Sequence, residues 1–249
     1  MTAMLSDRAD VRAAAVPDLA IVLAAGLGKR MRPLTETRPK PLIEVGGRTL
    51  LDRGLDVLAD AGVERAIVNV HYLAPQIVAH TATRTLPRVS ISDESDGLLD
   101  SGGGVRHALP TGRAEPVLLL NADTFWLDAP GASAIRTLAE AWDPARMDML
   151  LLLVPGDRAI GHTGTGDFAR EPDGRIRRDR EGHVYAGAGI LKPTIFRGDE
   201  PDVHSLNLHF DRLIGSGRLH GAVMDGLWLT VGTPDAIGAA ERAMAEFAG

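Results

Sequence analysis

Cysteine is absent from the 249 residues. That excludes a disulfide scaffold, a thiolate zinc site, an iron–sulfur cluster and a cysteine nucleophile. There is no basic excess either: Lys and Arg total 27 against 33 Asp and Glu, a formal net charge of −6. Such a balance gives no global attraction to nucleic acid, although a local basic patch could still bind phosphate. No apolar run approaches the roughly 18–20 residues of a membrane span. The first 18 residues, MTAMLSDRADVRAAAVPD, are broken by acids and lack a continuous apolar core, so they do not read as a secretory signal. They are expected to form a loose extension (1–18) before a cytoplasmic domain (19–249). What is present is ordinary globular composition, 45% hydrophobic and 24% charged, enough for one sizeable core or two small ones.

From Leu19 onward strand and helix patterns alternate. LAIVLAA (19–25), RAIVNV (65–70), VSIS (89–92), PVLLLNAD (116–123) and MDMLLLLV (147–154) read as strands. Helical spacing appears over Thr49–Ala61, stopped by Gly62, and over 75–81, 101–109 and 132–142. This order implies right-handed βαβ crossovers and a mostly parallel sheet flanked by helices, an α/β fold. The second half is less regular. It carries a possible hairpin over 166–170 and 174–177, strands over 183–191 and 226–232, and helices over 206–214 and 234–247. No hexapeptide repeat is present, so no appended β-helix is expected.

The most informative stretch is LAAGLGKRMRPLTETRPKPL (23–42). A buried strand runs into a turn containing Gly26 and Gly28, where backbone N–H groups can approach a phosphate closely. Lys29, Arg30 and Arg32 follow at once, and Lys40 comes soon after. A backbone cradle with four cations suits a triphosphate. A tight turn with a solvated basic face would explain the glycines, but explains less well such a cluster on an acidic protein. The Walker A pattern is absent, and Met31 stands where the dinucleotide fingerprint needs its third glycine.

Asn121 and Asp123 close a buried strand at its carboxyl end, where open α/β sheets bind ligands. A carboxylate there can hold a Mg²⁺ that bridges phosphate oxygens, or merely cap a turn. Gly102, Gly103 and Gly104 follow Ser101 at a helix start, admitting either a nucleobase or close packing. His162, His183 and His204 have no metal-ligand spacing and read as solvated or structural.

The segment L-A-A-G-x-G-x-R-M-x-P-L-T at 23–35, followed by P-K-P-L at 39–42, resembles the signature of sugar-1-phosphate nucleotidyltransferases. The similarity continues through NVHYLAPQI (69–77), DSGGGVRHALP (100–110), GTGDF (164–168), YAGAGIL (185–191) and VGTPDAI (231–237). It implies a single Rossmann-like (GT-A-type) domain with a small acceptor-side β subregion. It also implies transfer of a nucleotidyl group from an NTP to a sugar 1-phosphate with release of pyrophosphate, with Mg²⁺ as cofactor.

In that resemblance Leu23, Ala24, Ala25, Gly26, Gly28, Lys29, Arg30 and Lys40 hold the nucleotide, and Gly102–Gly104 meet the base. Arg30 neutralises the departing pyrophosphate, Lys40 sits between the phosphates being joined, held on an extended backbone by Pro39 and Pro41, and Asp123 binds the metal. Asn121, Asp167, Tyr185 and Gly187 face the acceptor sugar, Gly187 leaving room for an N-acetyl group. Within the family, the short form with GGG, GDF and W-x-x-V-G-T segments is most similar to uridylyltransferases that use UTP and N-acetylmuramate 1-phosphate in cell-wall recycling. Guanylyltransferases using GTP and mannose 1-phosphate share much of the pattern. Either implies small-molecule partners only, with no nucleic acid or membrane, in a monomer or homodimer.

One position departs from the family pattern. A second metal-binding Asp is expected two residues before Gly232, and Thr230 stands there. A neutral hydroxyl is a weaker Mg²⁺ ligand than a carboxylate. The substitution also admits a protein that binds nucleotide or sugar phosphate with little turnover.

Overall fold

The structure, a computed structural model, describes residues 15–247. The expected extension therefore lies, up to residue 14, outside the described residues. Val16 already packs partly against the core. Asp18 accepts hydrogen bonds from Arg113, at 2.6 Å, and from Arg65.

In chain order the strands are β1 (Leu19–Leu23), β2 (Glu44–Val45), β3 (Arg48–Thr49), β4 (Arg65–Val70), β5 (Arg88–Asp93), β6 (Val117–Asn121) and β7 (Thr124–Asp128). They continue with β8 (Met149–Val154), β9 (Ala159–Ile160), β10 (Phe168–Arg170), β11 (Ile176–Arg178), β12 (Val184–Leu191), β13 (Leu219–Val223) and β14 (Gly226–Thr230). The helices are α1 (Leu50–Asp60), α2 (Ala74–Thr81), α3 (Asp100–Ala108), α4 (Ala134–Ala141), α5 (Asn207–Gly215) and α6 (Asp235–Phe247).

A seven-stranded sheet in the order β13-β8-β12-β6-β1-β4-β5 forms the centre. Every neighbouring pair is parallel except the two that β12 makes. Alternation along the strands feeds two cores. Ala20 and Val22 of β1 join Leu51, Leu55 and Leu58 of α1 and Ile135 and Leu138 of α4 on one face. Leu19 and Ile21 join Val105 of α3 and Phe210 and Leu213 of α5 on the other. The α1 boundaries follow from local chemistry. The Thr49 side chain accepts from the Asp52 N–H at the start, and Gly62, at φ 89°, reverses the chain at the end.

Five strands were not expected: the two-residue β2, β3 and β9, too short to show a pattern, and the longer β7 and β13. β13 is short and carries His220 and Gly221, which hide its pattern. β7 follows β6 after only Ala122 and Asp123, so sequence reading merges it into the turn. The chain bends at these two residues and leaves the main sheet for a three-stranded one, β7-β14-β9. A third core of Met31, Phe125, Leu229 and α6 alanines lies beneath that sheet. Among the described residues no helix is long and apolar enough to cross a membrane.

Candidate active site

Parallel strands β1, β4, β5 and β6 end on one edge of the sheet, and three adjoining cavities run along it. The first is lined by Leu23, Ala24, Gly26, Gly28, Lys29, Arg30, Lys40, Asp123 and Gly232. The second shares Leu23, Gly26 and Asp123 with it and adds Ala25, Asn69, Glu94, Asp100, Ser101 and Asn121. The third shares Ser101 and Asn121 with the second and adds Asp167, Phe168, Arg178, Tyr185 and Phe210. The shared residues make one elongated cleft of three compartments.

The first compartment is built on the turn after β1. Gly28 has φ 59°, and a Cβ there would stand 2.9 Å from Thr35 Cγ2 and 3.1 Å from Lys40 Cβ, so only glycine fits. The Thr35 hydroxyl donates to the Gly28 carbonyl at 2.8 Å, and the Tyr72 hydroxyl donates to the Thr35 carbonyl at 2.8 Å. Lys29 and Arg30 stand exposed on a single 3₁₀ turn, with the Arg30 guanidinium alongside Gly232.

Lys40 differs from both: it is buried, and its Nζ donates to Asp123 Oδ2 at 2.8 Å. Its backbone is not extended, as the flanking prolines suggested. Pro39 is extended, at ψ 144°, but Lys40 opens a 3₁₀ turn closed by Leu42 N–H to Pro39 O and Ile43 N–H to Lys40 O. Pro41 tolerates this position because its missing N–H is not needed in a first turn. Arg38, two residues before Lys40, lies 4.0 Å from Glu44 and lines a separate groove.

A hydrogen-bond relay joins the first compartment to the second. The Ala24 N–H donates to Asn69 Oδ1 at 2.6 Å, the Asn69 amide donates to Glu94 Oε1 at 2.6 Å, and the Leu99 N–H donates to Glu94 Oε2 at 3.1 Å. Asn69 and Glu94 are buried, and together they tie the turns after β1, β4 and β5 into one unit. Sequence reading passed over both. The rule that singled out Asn121 would have found Asn69, a polar residue near the end of an apolar strand.

The triple glycine does not reach the cleft. The N–H groups of Gly102 and Gly103 both donate to His204 O, and Cβ atoms there would stand 2.5 Å from the His204 ring and 2.3 Å from Asp202 O. A Cβ on Gly104 would stand 2.8 Å from both Asn69 Nδ2 and Glu94 Oε1. These glycines let α3 pack against its supports, and the cleft wall at this point is Asp100 and Ser101.

In the third compartment Asp167 Oδ2 accepts from the Tyr185 N–H at 2.9 Å, and its other oxygen has no partner among the described residues. Burial, reinforced by the Asp167 charge, raises the pKa of the Tyr185 phenol, so it stays protonated. Gly187, at φ 74° in the β12 bulge, sits behind Asn121: a Cβ would come within 3.1 Å of Asn121 Nδ2 and 2.9 Å of Thr124 Oγ1. It shapes the cleft by placing Asn121.

Register pairs Thr230 with Thr124, beside Asp123, so residue 230 does lie near the carboxylate. Asp225 precedes the far end of β14, roughly 16 Å away along the strand, and pairs with Arg158 at 2.7 Å. Among the described residues no group of three or more His, Asp or Glu side chains could hold a metal by itself.

Comparison with known proteins identifies the family and the fold. The family model "MobA-like NTP transferase domain" matches residues 20–198. An N-acetylmuramate alpha-1-phosphate uridylyltransferase from Caulobacter vibrioides is 45% identical over 239 residues, covering 92% of this chain and 98% of its own. One from Neisseria meningitidis is 34% identical over 220 residues, covering 86% and 93%. Among solved structures, a UDP-glucose pyrophosphorylase complexed with UDP-glucose superposes with a TM-score of 0.78 at 14% identity, covering 92% of this chain and 98% of its own. That likeness is one of fold. The family match and the two close relatives go further, and they place the chain among the MobA-like NTP transferases, as a nucleotidyltransferase.

Proposed function

We propose that this enzyme transfers a uridylyl group from UTP to N-acetylmuramate 1-phosphate, forming UDP-N-acetylmuramate and pyrophosphate. The reading is carried by one observation: Lys40 and Asp123 form a buried-to-exposed ion pair at the junction of the first two compartments, where phosphates from both sides would meet. The acceptor follows from the two relatives' names.

In the reaction an acceptor phosphate oxygen attacks the α-phosphorus. The bond from that phosphorus to the bridging oxygen breaks, and pyrophosphate leaves with the electron pair. Little covalent help is needed from protein, so positioning and charge neutralisation dominate. The turn at Ala24–Gly28 receives the triphosphate, Lys29 and Arg30 neutralise the leaving pyrophosphate, and Lys40 faces the reacting phosphates. Asp167 and Asn121 orient the sugar.

Mg²⁺ fits this site as an ion that arrives with the nucleotide. Mg²⁺ keeps several waters and commonly takes only one or two protein carboxylates beside substrate phosphates. Asp123, with a side chain 40% exposed, offers one, and Thr230, a neutral hydroxyl, could hold a metal-bound water. When bound, the ion would neutralise phosphate charge and compete with Lys40 for the carboxylate.

Pyrophosphate release from purified protein with each NTP and sugar phosphate tests the assignment. The expected result is turnover with UTP and N-acetylmuramate 1-phosphate. Turnover confined to GTP with mannose 1-phosphate would replace it, and binding without turnover would return the site to a non-catalytic role.

A further inference from the structure

The third compartment holds an arrangement that transfer to a simple sugar phosphate does not use. Among the described residues Arg178 is the only cation lining it. The guanidinium carbon lies 4.8 Å from the centre of the Phe168 ring and 5.7 Å from that of Phe210. Its Nε donates to Asp211 Oδ1 at 2.9 Å, and its Nη2 donates to Asn207 Oδ1 at 2.7 Å. Two aromatic faces and two acceptors hold the fork in one orientation, and Nη1 has no protein partner among the described residues. The opposite strand of the same hairpin is preceded by Asp167, so one small ribbon presents an anion and a cation to the same space.

We infer that Arg178 is a specificity-determining residue that selects acceptors carrying a carboxylate on the sugar. This rests on the proposed use of N-acetylmuramate 1-phosphate, whose lactyl ether carries a carboxylate beside a methyl group. The carboxylate accepts from the free part of the fork, and the methyl group lies against the aromatic wall. An oriented guanidinium loses little freedom on binding and favours carboxylate geometry over that of a hydroxyl. Asp211 balances the Arg178 charge in the absence of ligand, so the resting site is not strongly basic. The Arg178 side chain is 42% exposed, so with an acceptor lacking the carboxylate water solvates the fork, and the discrimination is that of the charge-assisted contact itself.

The test compares N-acetylmuramate 1-phosphate with N-acetylglucosamine 1-phosphate, which lacks the lactyl group, under saturating UTP. Arg178→Met is expected to lower the ratio of kcat/KM values between the two acceptors by on the order of 10- to 100-fold, mainly through KM for the carboxylate-bearing one. Arg178→Lys keeps the charge but not the fork and is expected to fall between, and it serves if the Met variant does not fold. An unchanged ratio in both variants, or an equal loss on both acceptors, would show that Arg178 supports the hairpin only. Wild-type protein that turns over neither compound would instead overturn the acceptor assignment itself.

Discussion

At the scale of single residues, Lys40 is the position where burial and charge decide most. A lone buried ammonium is costly, and here its cost is offset by one carboxylate 2.8 Å away. On the proposed function Lys40→Ala removes the cation that faces the reacting phosphates, and it leaves Asp123, with a side chain 40% exposed, to water. Stability should therefore change by no more than about 1 kcal/mol. Turnover should fall by on the order of 10²–10³, as when a charge-stabilising donor is deleted from other active sites. Lys29 and Arg30 are exposed, so on the proposed function their replacement should raise KM for the NTP more than it lowers kcat. Steady-state rates with a thermal melt on the same preparation check both halves. A variant with normal kcat would remove Lys40 from the chemistry.

At the scale of elements, the site is a set of turns held by supports behind them. One support is the loop before α5. His204 donates from Nδ1 to the Pro201 carbonyl at 2.7 Å, and its Nε2 lies 3.0 Å from His209 Nε2. The His204 carbonyl anchors the glycines of α3.

Burial pushes the fully enclosed His209 down to about 4, against the attraction of Glu200, with His204 and Arg212 adding to the depression. Its folded value lies below the unfolded one near 6.5. The neutral form therefore supports the fold above that value, and the support is lost as pH falls from 6.5 toward 4. By pH 5 the loss from this group should reach about 2 kcal/mol. Chemical denaturation at pH 7 and pH 5, on wild type and His209→Gln, measures it. Equal pH slopes in the two proteins would assign the acid sensitivity elsewhere.

Elements of this kind also show what sequence could reveal. Strands with unbroken apolar runs and helices with a cap and a glycine stop were readable, because their signals are local. That Gly28, Lys29, Arg30 and Lys40 meet at one cavity was readable because two glycines, a cation series and a proline-flanked lysine fall within one segment. The packing of the glycine triplet was not readable, because His204, which takes the Gly102 and Gly103 N–H groups, and Asp202, which leaves no room for a Cβ on Gly103, lie a hundred positions away. Arg178 sits in the charged run RIRRDR and has no local mark. Only the fold stacks it on Phe168 and Phe210.

At the scale of the whole molecule, an acidic protein must bind a polyanion. The net charge of −6 spreads over a body with a radius of gyration of about 18 Å, whereas Lys29, Arg30 and Lys40 gather at one cleft. Two opposed fields act on an approaching nucleotide, and salt separates them by range. At physiological ionic strength the Debye length is about 8 Å, so distant acids are screened while cations at the cleft still act. Raising salt to about 1 M shortens that length to about 3 Å and removes much of the attraction from exposed Lys29 and Arg30. KM for the NTP should then rise several-fold. Lys40 is buried against Asp123 and is screened far less, so kcat should hardly move. Lowering salt to about 0.01 M extends the range to about 30 Å and admits the repulsion of the whole body. The usual gain at low salt should therefore be small, and KM should be nearly flat below 0.15 M and climb above it. Titrating ionic strength at fixed free Mg²⁺ distinguishes the cases. A KM that keeps falling steeply toward 0.01 M would mean that the cleft cations outweigh the net charge at every distance.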